Sequence, residues 1–330
     1  MPPLGPPHPA EGPRAVLVVG AGGLLGSAVV RALRRRGVPV VAPRVPWSRP
    51  ADSVAALRVA VDELLDRAGG GPWSVAWCAG AAVTASTPAQ LEVELGVLAA
   101  AADHLRTASA GTPGRVFFAS SAGGLYAGAR GAPFDERTVP APLAPYGHGK
   151  LRAEAVVAAL ASPDVGVVLG RIANLYGPGQ NLAKPQGLIS QLCRAHVVGQ
   201  PLSVYVSLDT LRDYVFVDDC ALMVLDLLDP RTTPVDGVQV KVLASQHAAS
   251  VGALLGECRR VFGRRPRVVL GASPTARFQA RDLRLRSVVL PSVDRHARTP
   301  LAAGIHRTLV DVTGALHATP EPRRPRRPVG

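Results

Sequence analysis

The feature that most constrains the fold is a glycine-rich turn between an apolar run and a helix-forming segment. Ala15–Val19 is a short, continuous apolar run, which is typical of a buried parallel strand. The turn Gly20–Gly26 follows at once, and Ser27–Arg36 has a helical pattern. A strand, a glycine turn and a helix in this order predict a dinucleotide-binding loop.

Three glycines in this turn have separate expected roles. Gly20 permits the tight turn, Gly23 lets the backbone approach a pyrophosphate, and Gly26 lets the helix close on the strand. Together with Leu24 and Leu25 of the same turn, they form the predicted pyrophosphate-binding part of a cofactor site.

Strand and helix patterns alternate beyond the turn. The predicted segments are a strand at Val38–Ala42, a helix at Asp52–Ala68, a strand at Ser74–Cys78, a helix at Gln90–Thr107 and strands at Arg115–Ala119 and Val165–Leu169. Little room remains before Ser74 for a further full strand. This alternation predicts an α/β protein with a doubly wound, Rossmann-type parallel sheet.

The end of the second predicted strand bears on cofactor choice. In a Rossmann fold an acidic residue there binds the adenosine ribose, but no Asp or Glu occurs between Glu11 and Asp52. Arg44 stands in that region, and a guanidinium suits a 2′-phosphate. The sequence therefore favours NADP and leaves NAD as the alternative. Ala79, Gly80 and Ala81 form a small-residue turn at which a cofactor can approach the backbone.

The candidate chemistry lies at Tyr146 and Lys150. If a helix begins at or just before Tyr146, these two side chains lie one turn apart on one face. A neighbouring cation favours the phenolate form of a tyrosine, which can then exchange a proton with an alcohol or ketone. Ser120 and Ser121 follow a strand and supply a second hydroxyl at the carboxyl edge of the sheet.

Taken together, the chain resembles the extended short-chain dehydrogenases/reductases, in particular the NAD-dependent epimerase/dehydratase group that acts on nucleotide sugars. The motifs that carry the resemblance occur in family order. They are the glycine turn, the serine pair, YxxxK at Tyr146–Lys150, RxxNxYGPGQ at 171–180 and RDYVFVDD at 212–219.

The resemblance implies a Rossmann domain with a smaller C-terminal lobe that binds the substrate. It implies that Ser121, Tyr146 and Lys150 are catalytic, that Ser120, Tyr146 and Lys150 also contact the cofactor, and that Ser121 contacts the substrate. Near the substrate's diphosphate it implies three further side chains: Asn174, Arg212 and Arg281.

The sequence departs from the family pattern near the serines. The family usually has four residues from its serine or threonine to the following tyrosine, whereas Ser121 to Tyr126 is five. One inserted residue reconciles the spacing and leaves Ser120 and Ser121 both as candidates. The 4,6-dehydratases carry an Asp-Glu pair where this chain has Ala122-Gly123, so that activity is disfavoured. The family's asparagine on the preceding helix is also missing, and Glu92 and Glu94 lie nearby.

Composition and the resemblance together suggest a domain plan. We expect a disordered tail at 1–13, the NAD(P)-binding domain at 14–175, and a mainly substrate-binding lobe at 176–318 whose segments partly return to the first domain. A second disordered tail, rich in Arg and Pro, is expected at 319–330. Family members often pair through two helices per subunit, and the apolar faces near Gln90–Thr107 and Tyr146–Leu160 predict a homodimer.

Composition limits the classes of binding partner that are expected. The net charge of +13 comes almost entirely from arginines spread along the chain, which indicates compositional bias and disfavours nucleic-acid binding. Only three lysines occur, Lys150, Lys184 and Lys241. The four cysteines are far apart and the histidines scattered, so no metal site is predicted and a reducing, cytoplasmic location is expected. No apolar run is long enough to predict a membrane span.

Two functions remain open within the family and one outside it. A ketoreductase using NADPH and a 4-epimerase using tightly held NAD would employ the same Ser, Tyr and Lys. The alternative from another class is a non-catalytic dinucleotide-binding regulatory or scaffold protein on the same fold. Retention of both Tyr146 and Lys150 favours an enzyme.

Overall fold

The computed structural model describes residues 12–80, 87–183, 187–233, 235–271 and 280–318. Ala81, Lys184, the expected tail at 319–330 and nearly all of the tail at 1–13 lie outside these ranges. In chain order the elements are β1 (Ala15–Val19), α1 (Leu24–Arg35), β2 (Val40–Val41), α2 (Pro50–Ala68), β3 (Trp73–Trp77), α3 (Pro88–Ala108), β4 (Gly114–Ser121), α4 (Ala122–Leu125), α5 (Pro145–Ala158), β5 (Val165–Ile172), β6 (Asn174–Tyr176), α6 (Leu188–Val198), β7 (Leu202–Val204), β8 (Leu211–Phe216), α7 (Val217–Leu228), β9 (Val238–Leu243), β10 (Ala248–Ser250), α8 (Val251–Phe262), β11 (Val268–Leu270), β12 (Asp282–Leu283), α9 (Pro291–Asp294) and α10 (Leu301–Ala318).

The predicted α/β architecture with a doubly wound parallel sheet is confirmed. Six parallel strands form the central sheet in the order β2-β1-β3-β4-β5-β9. The chain passes from β2 through α2 directly to β3, which pairs with β1 on the side opposite β2. Strand order therefore reverses at β1 and β3, and the carboxyl ends of these two strands form the crevice where ligands bind in open α/β sheets.

Two apolar layers cover the sheet. Helices α1 and α7 pack in the cluster on one face, while α2, α3 and α5 pack in the cluster on the other. Adjacent residues of β4 show the alternation, because Phe117 belongs to the first cluster and Phe118 to the second. Both residues are buried, with exposures of 0% and 1%, as expected for a strand covered on both faces.

A smaller unit follows β5. It contains a sheet of β10, β8 and β12, with β6 also paired to β8, and a separate β7–β11 pair. Its core is a third apolar cluster whose members include Tyr176, Ile189, Phe216, Leu254 and Ile305. Two segments of this half return to the larger unit, since α7 packs against α1 and β9 pairs with β5.

Several element boundaries differ from the sequence expectation. Helix α1 begins at Leu24, inside the glycine turn, because Gly23 already has the extended N-cap conformation. Strand β2 is reduced to Val40–Val41. Strand β4 continues to Ser121 because its last residues pair with the end of β5, where Ser121 is opposite Ile172. Over the described ranges, no helix is both long and apolar enough to cross a membrane.

The contact between β1 and α1 yields a stability prediction. A Cβ on Gly26 would overlap the carbonyl oxygen of Gly20, whereas a Cβ on Gly22 would meet nothing within 4 Å. We expect Gly26→Ala to lower the free energy of unfolding by about 1–3 kcal/mol, the usual cost of overpacking. Urea denaturation followed by circular dichroism measures this change. Gly22→Ala is the matched control, and equal effects of the two substitutions would contradict the contact.

Candidate active site

Helix α5 presents Tyr146 and Lys150 from one face. The helix begins at Pro145, a favourable first position for proline, so the two residues are separated by one turn. Lys150 is only 8% exposed. Its Nζ donates a hydrogen bond to the Ala119 carbonyl oxygen at 3.1 Å and lies 5.0 Å from the centroid of the Phe118 ring. The ammonium group is therefore fixed against the carboxyl end of β4.

Gly124 lies between the hydroxyl of Ser121 and the ring of Tyr146. Ser121 is the N-cap of α4, and its Oγ accepts a hydrogen bond from the Gly124 N–H at 3.1 Å. A Cβ on Gly124 would lie 3.0 Å from Tyr146 Cε1 and 3.4 Å from Ser121 Oγ. Helices α4 and α5 approach more closely still at Gly147, where a Cβ would overlap the Gly124 carbonyl oxygen. Ser121 and Tyr146 therefore converge on one glycine.

Ser120 has a different environment. It is 5% exposed, and it is paired in register with Arg171 of β5. Its Oγ is buried and has no hydrogen-bond partner among the described residues. Because successive strand residues point to opposite faces, Ser120 lies under α5 while Ser121 opens toward α4. The Ser121 oxygen lies near the Tyr146 ring, because both are close to the Cβ position of Gly124.

The glycine turn and the end of β3 adjoin this cluster. Gly20 has a φ of +86°, and a Cβ there would lie 2.6 Å from the backbone nitrogen of Ala79. A Cβ on Gly80 would lie 3.3 Å from Lys150 Nζ. The carboxyl ends of β1, β3 and β4 thus meet at Tyr146 and Lys150. Glycines line this edge of the sheet, so a dinucleotide pyrophosphate can approach the backbone closely.

The remaining candidates for cofactor binding are Leu24, Leu25 and Arg44. Leu25 is 5% exposed and its side chain belongs to the core, and the partly buried side chain of Leu24 packs on the same core. Because these residues start α1, an anion would bind the backbone N–H of Leu25 and not its side chain. Arg44 follows β2 at the same edge of the sheet and its side chain is exposed. No hydrogen bond or ion pair joins Arg44 to another residue in the part of the chain that is described.

Asn174, Arg212 and Arg281 form a second group around β8. Asn174 Nδ2 donates to the Asp213 carbonyl oxygen at 3.0 Å. Arg212 is 9% exposed, and burial lowers the pKa of its guanidinium. Arg281 lies beside them, because its carbonyl oxygen accepts from Leu211 N at 2.8 Å, but its exposed side chain is ion-paired with Asp209.

One contact links the two groups. Leu283 of β12 is the register partner of Arg212. Its Cδ1 lies 3.9 Å from the position of a Cβ on Gly123, two residues after Ser121. The sheet that contains Arg212 therefore reaches, through β12, the turn that follows the candidate catalytic hydroxyl.

Sequence reasoning missed several residues that surround Lys150. Trp77, Phe118 and Glu94 line the same cleft as Tyr146 and Lys150. Cys78 also lies close to Lys150; burial raises the pKa of its thiol to about 12, an effect that the nearby ammonium only partly offsets. Its position directly before the Ala79–Gly80 turn was the available signal for this residue. In the sequence, Glu94 stands out only because it lies near the missing family asparagine.

A buried polar network lies behind the cleft and was also missed. Glu154 of α5 is 3% exposed and forms an ion pair with Arg171 of β5, which is 6% exposed. Arg171 in turn contacts the hydroxyl of Tyr126. The available signal was spacing, because Glu154 follows Lys150 by four residues and so shares the face of α5 that meets the sheet.

Comparisons with known proteins agree with this arrangement. A curated relative, dTDP-4-dehydro-6-deoxyglucose reductase of Escherichia coli, is 31% identical over 106 residues, which are 32% of this chain and 33% of the relative. The match thus spans about a third of the length of that relative.

Two solved structures cover nearly the whole fold. MoeE5 in complex with UDP-glucuronic acid and NAD is 26% identical, with a TM-score of 0.73, and the match covers 91% of this chain and 99% of that one. The UDP-glucose 4-epimerase of Thermotoga maritima with UDP-glucose has a TM-score of 0.76 at 19% identity, covering 92% and 99%; this likeness shows the fold alone.

The family-level match covers most of the larger unit and part of the smaller one. Residues 16–238 match the family described as the NAD dependent epimerase/dehydratase family, a range that contains Gly20–Gly26, Ser121, Tyr146, Lys150 and Arg212. With the fold and the clustered Ser, Tyr and Lys, this match shows that the chain belongs to the NAD dependent epimerase/dehydratase family.

Proposed function

We propose that this protein is an NAD(P)-dependent oxidoreductase or epimerase that transfers a hydride at a carbinol or ketone carbon of a nucleotide-activated sugar. The observation that carries the proposal is the convergence of Ser121, Tyr146 and Lys150 at the carboxyl ends of β3 and β4, beside the glycine turn. This edge is where a doubly wound sheet binds its ligands.

Each of the three side chains has a separate task. A bound nicotinamide dinucleotide supplies the hydride acceptor or donor. The Tyr146 hydroxyl gives a proton to the sugar oxygen during reduction of a ketone and takes it back during oxidation of a carbinol. Ser121 donates a hydrogen bond to the same oxygen as charge develops on it. The Lys150 ammonium, held on the Ala119 carbonyl oxygen, supplies a positive charge one helical turn from the phenol.

The group around β8 suits the nucleotide end of such a substrate. Arg212 is buried and hydrogen-bonded only to the Leu211 carbonyl oxygen among the residues described, so most donors of its planar guanidinium are open to a diphosphate. We assign Asn174 and Arg281 to the same end. In the compared proteins, the named nucleotide sugars carry UDP or dTDP.

Reductase and 4-epimerase activities require different behaviour from the cofactor. A reductase must exchange its cofactor in each turnover, whereas an epimerase returns the hydride to the same sugar and can retain it. Denatured purified protein should therefore release a stoichiometric nicotinamide dinucleotide if it is an epimerase, and almost none if it is a reductase. Liquid chromatography of the supernatant distinguishes the two.

The catalytic assignment predicts the effect of Tyr146→Phe. We expect turnover to fall by about 10²–10⁴-fold, the usual contribution of a positioned acid or base, with little change in cofactor affinity. Three pairs serve as probes: UDP-glucose with NAD, UDP-glucuronic acid with NAD, and dTDP-4-dehydro-6-deoxyglucose with NADPH. Turnover is measured by chromatography of the products, and affinity by the fluorescence of bound NADH or NADPH.

Tyr205→Phe is the matched control, because Tyr205 is 49% exposed and lies in the smaller unit. This variant also loses one tyrosine hydroxyl, but outside the candidate active site, and it should retain full turnover. Undiminished turnover of Tyr146→Phe with any of the three probe pairs would exclude the proposed acid–base role.

The NADP preference predicts the effect of Arg44→Ala. A guanidinium that pairs with the 2′-phosphate contributes to NADPH binding and not to NADH binding. We expect the dissociation constant for NADPH to rise at least tenfold and that for NADH to change less than twofold, as measured by fluorescence titration. Arg49→Ala is the control, since Arg49 is also exposed but is ion-paired with Asp52 at 2.9 Å. Equal effects of Arg44→Ala on both dinucleotides would remove the case for NADP.

A further inference from the structure

The ion pair behind the candidate active site joins two elements that carry its reactive groups. Arg171 Nε donates to Glu154 Oε1 at 3.1 Å, and Arg171 Nη2 donates to Glu154 Oε2 at 2.8 Å. The geometry is bidentate, and both side chains are more than nine-tenths buried. Burial alone would lower the pKa of Arg171, but its hydrogen bonds to Glu154 and Tyr126 outweigh this and raise it. The guanidinium is therefore charged at any ordinary pH.

A buried ion pair is by itself weak evidence of a stabilising role. Removing two charges from water costs free energy that their attraction often fails to recover, and apolar replacements are frequently as stable. The use of such a pair beside the apolar layers of the sheet therefore calls for a geometric reason. A bidentate pair fixes direction as well as distance, which apolar packing does less strictly.

The first arm of the network orients α5. Tyr146, Lys150 and Glu154 are spaced four residues apart and so form a row on one face of the helix. Lys150 fixes the middle of this row to β4 through the Ala119 carbonyl oxygen. Glu154 fixes the end of the row to β5 through Arg171. Because these two attachments are on adjacent strands, they fix the position of α5 over the sheet and its rotation about its own axis.

The second arm reaches α4. Arg171 Nη1 donates to the Tyr126 hydroxyl at 3.0 Å, and the guanidinium carbon lies 5.4 Å from the centroid of the Tyr126 ring. The Tyr126 hydroxyl donates in turn to the Asp135 carbonyl oxygen at 2.9 Å. Tyr126 is fully buried and is the C-cap of α4, whose N-cap is Ser121. One guanidinium thus contacts both the helix of Tyr146 and the short helix of Ser121.

We propose that Arg171 is a positioning residue that sets the distance between the Ser121 hydroxyl and the Tyr146 phenol by tying α4 and α5 to β5. The inference rests on the proposed function, because it takes these two groups as the ones that face the sugar oxygen. Small displacements are costly in such a site, since a misplacement of about 1 Å can reduce turnover by about 10²-fold.

The test removes both charges together, so that neither is left buried without its partner. We expect Arg171→Met/Glu154→Leu to lower kcat 10- to 100-fold with the probe pair that the unaltered protein turns over, while the dissociation constant for the dinucleotide changes less than threefold. Hydrogen–deuterium exchange, which needs no substrate, should rise at the amides of both α4 and α5. A rise confined to α5, or kcat within twofold of the parent, overturns the proposal.

The chain offers a matched control pair. Asp229 and Arg231 form an ion pair at 2.7 Å directly after α7, with side-chain exposures of 11% and 57%. The pair lies at the amino end of the sheet, because the last carbonyl groups of α7 accept hydrogen bonds from Ser74 at the start of β3 and Arg115 at the start of β4. Arg231→Met/Asp229→Leu should leave kcat within threefold of the parent, whatever it does to the melting temperature. Equal losses of kcat in the two double variants would mean that the loss of any ion pair has the same effect, and would overturn the proposal.

Tyr126→Phe keeps the test decisive if the first double variant does not fold. It removes only the hydroxyl that connects Arg171 to α4, and we expect a fivefold or larger fall in kcat with unchanged dinucleotide affinity. Full kcat in Tyr126→Phe rejects the link to α4 and with it the proposal. Failure of the proposed function has a different signature, because Tyr146→Phe would then remain active whatever the Arg171 and Tyr126 variants do.

Discussion

The structure depends on how α5 attaches to the sheet. Gly147 allows the helix backbone to contact the backbone of α4, Lys150 binds the end of β4, and Glu154 binds Arg171 of β5. These contacts lie along one face of a single helix, so a rigid rotation of α5 would break all of them together. The reactive phenol of Tyr146 occupies the first turn of that face, and its position follows from the attachments behind it.

The crossing of the chain between its two units creates the other half of the candidate site. Helix α7 and β9 return to the larger unit, and the sheet around β8 is built from β6 and β8 before them and from β10 and β12 after them. The sheet that carries Arg212 reaches the turn that follows Ser121, because β12 pairs with β8 and Leu283 of β12 lies against Gly123. Gly123 and Leu283, which are 160 positions apart in the sequence, thereby lie side by side.

The scarcity of lysine in this arginine-rich chain is informative about both of the lysines that the structure describes. Arginine cannot act as a compact point charge beside a phenol, which gives one reason for a lysine at position 150. Lys241 is equally rare and is fully buried, with its ammonium bound by Asp294, Ser287 and the Val289 carbonyl oxygen. A compact ammonium suits a small, fully satisfied buried site as well as a reactive one. Rarity therefore indicates a constrained site, and the neighbours of each lysine indicate its role.

The sequence by itself determined the fold class, the glycine turn and the Tyr146–Lys150 pair, because each depends on local spacing: an apolar run before glycines, and four residues along one helix. It left Ser120 and Ser121 open, since adjacent strand residues differ only in the face that they occupy. The tertiary structure brought Ser121 to Tyr146 across Gly124 and put Ser120 under α5. It also decided the Arg171–Glu154–Tyr126 network, because such contacts join side chains from different elements and are set by the packing of helices on the sheet.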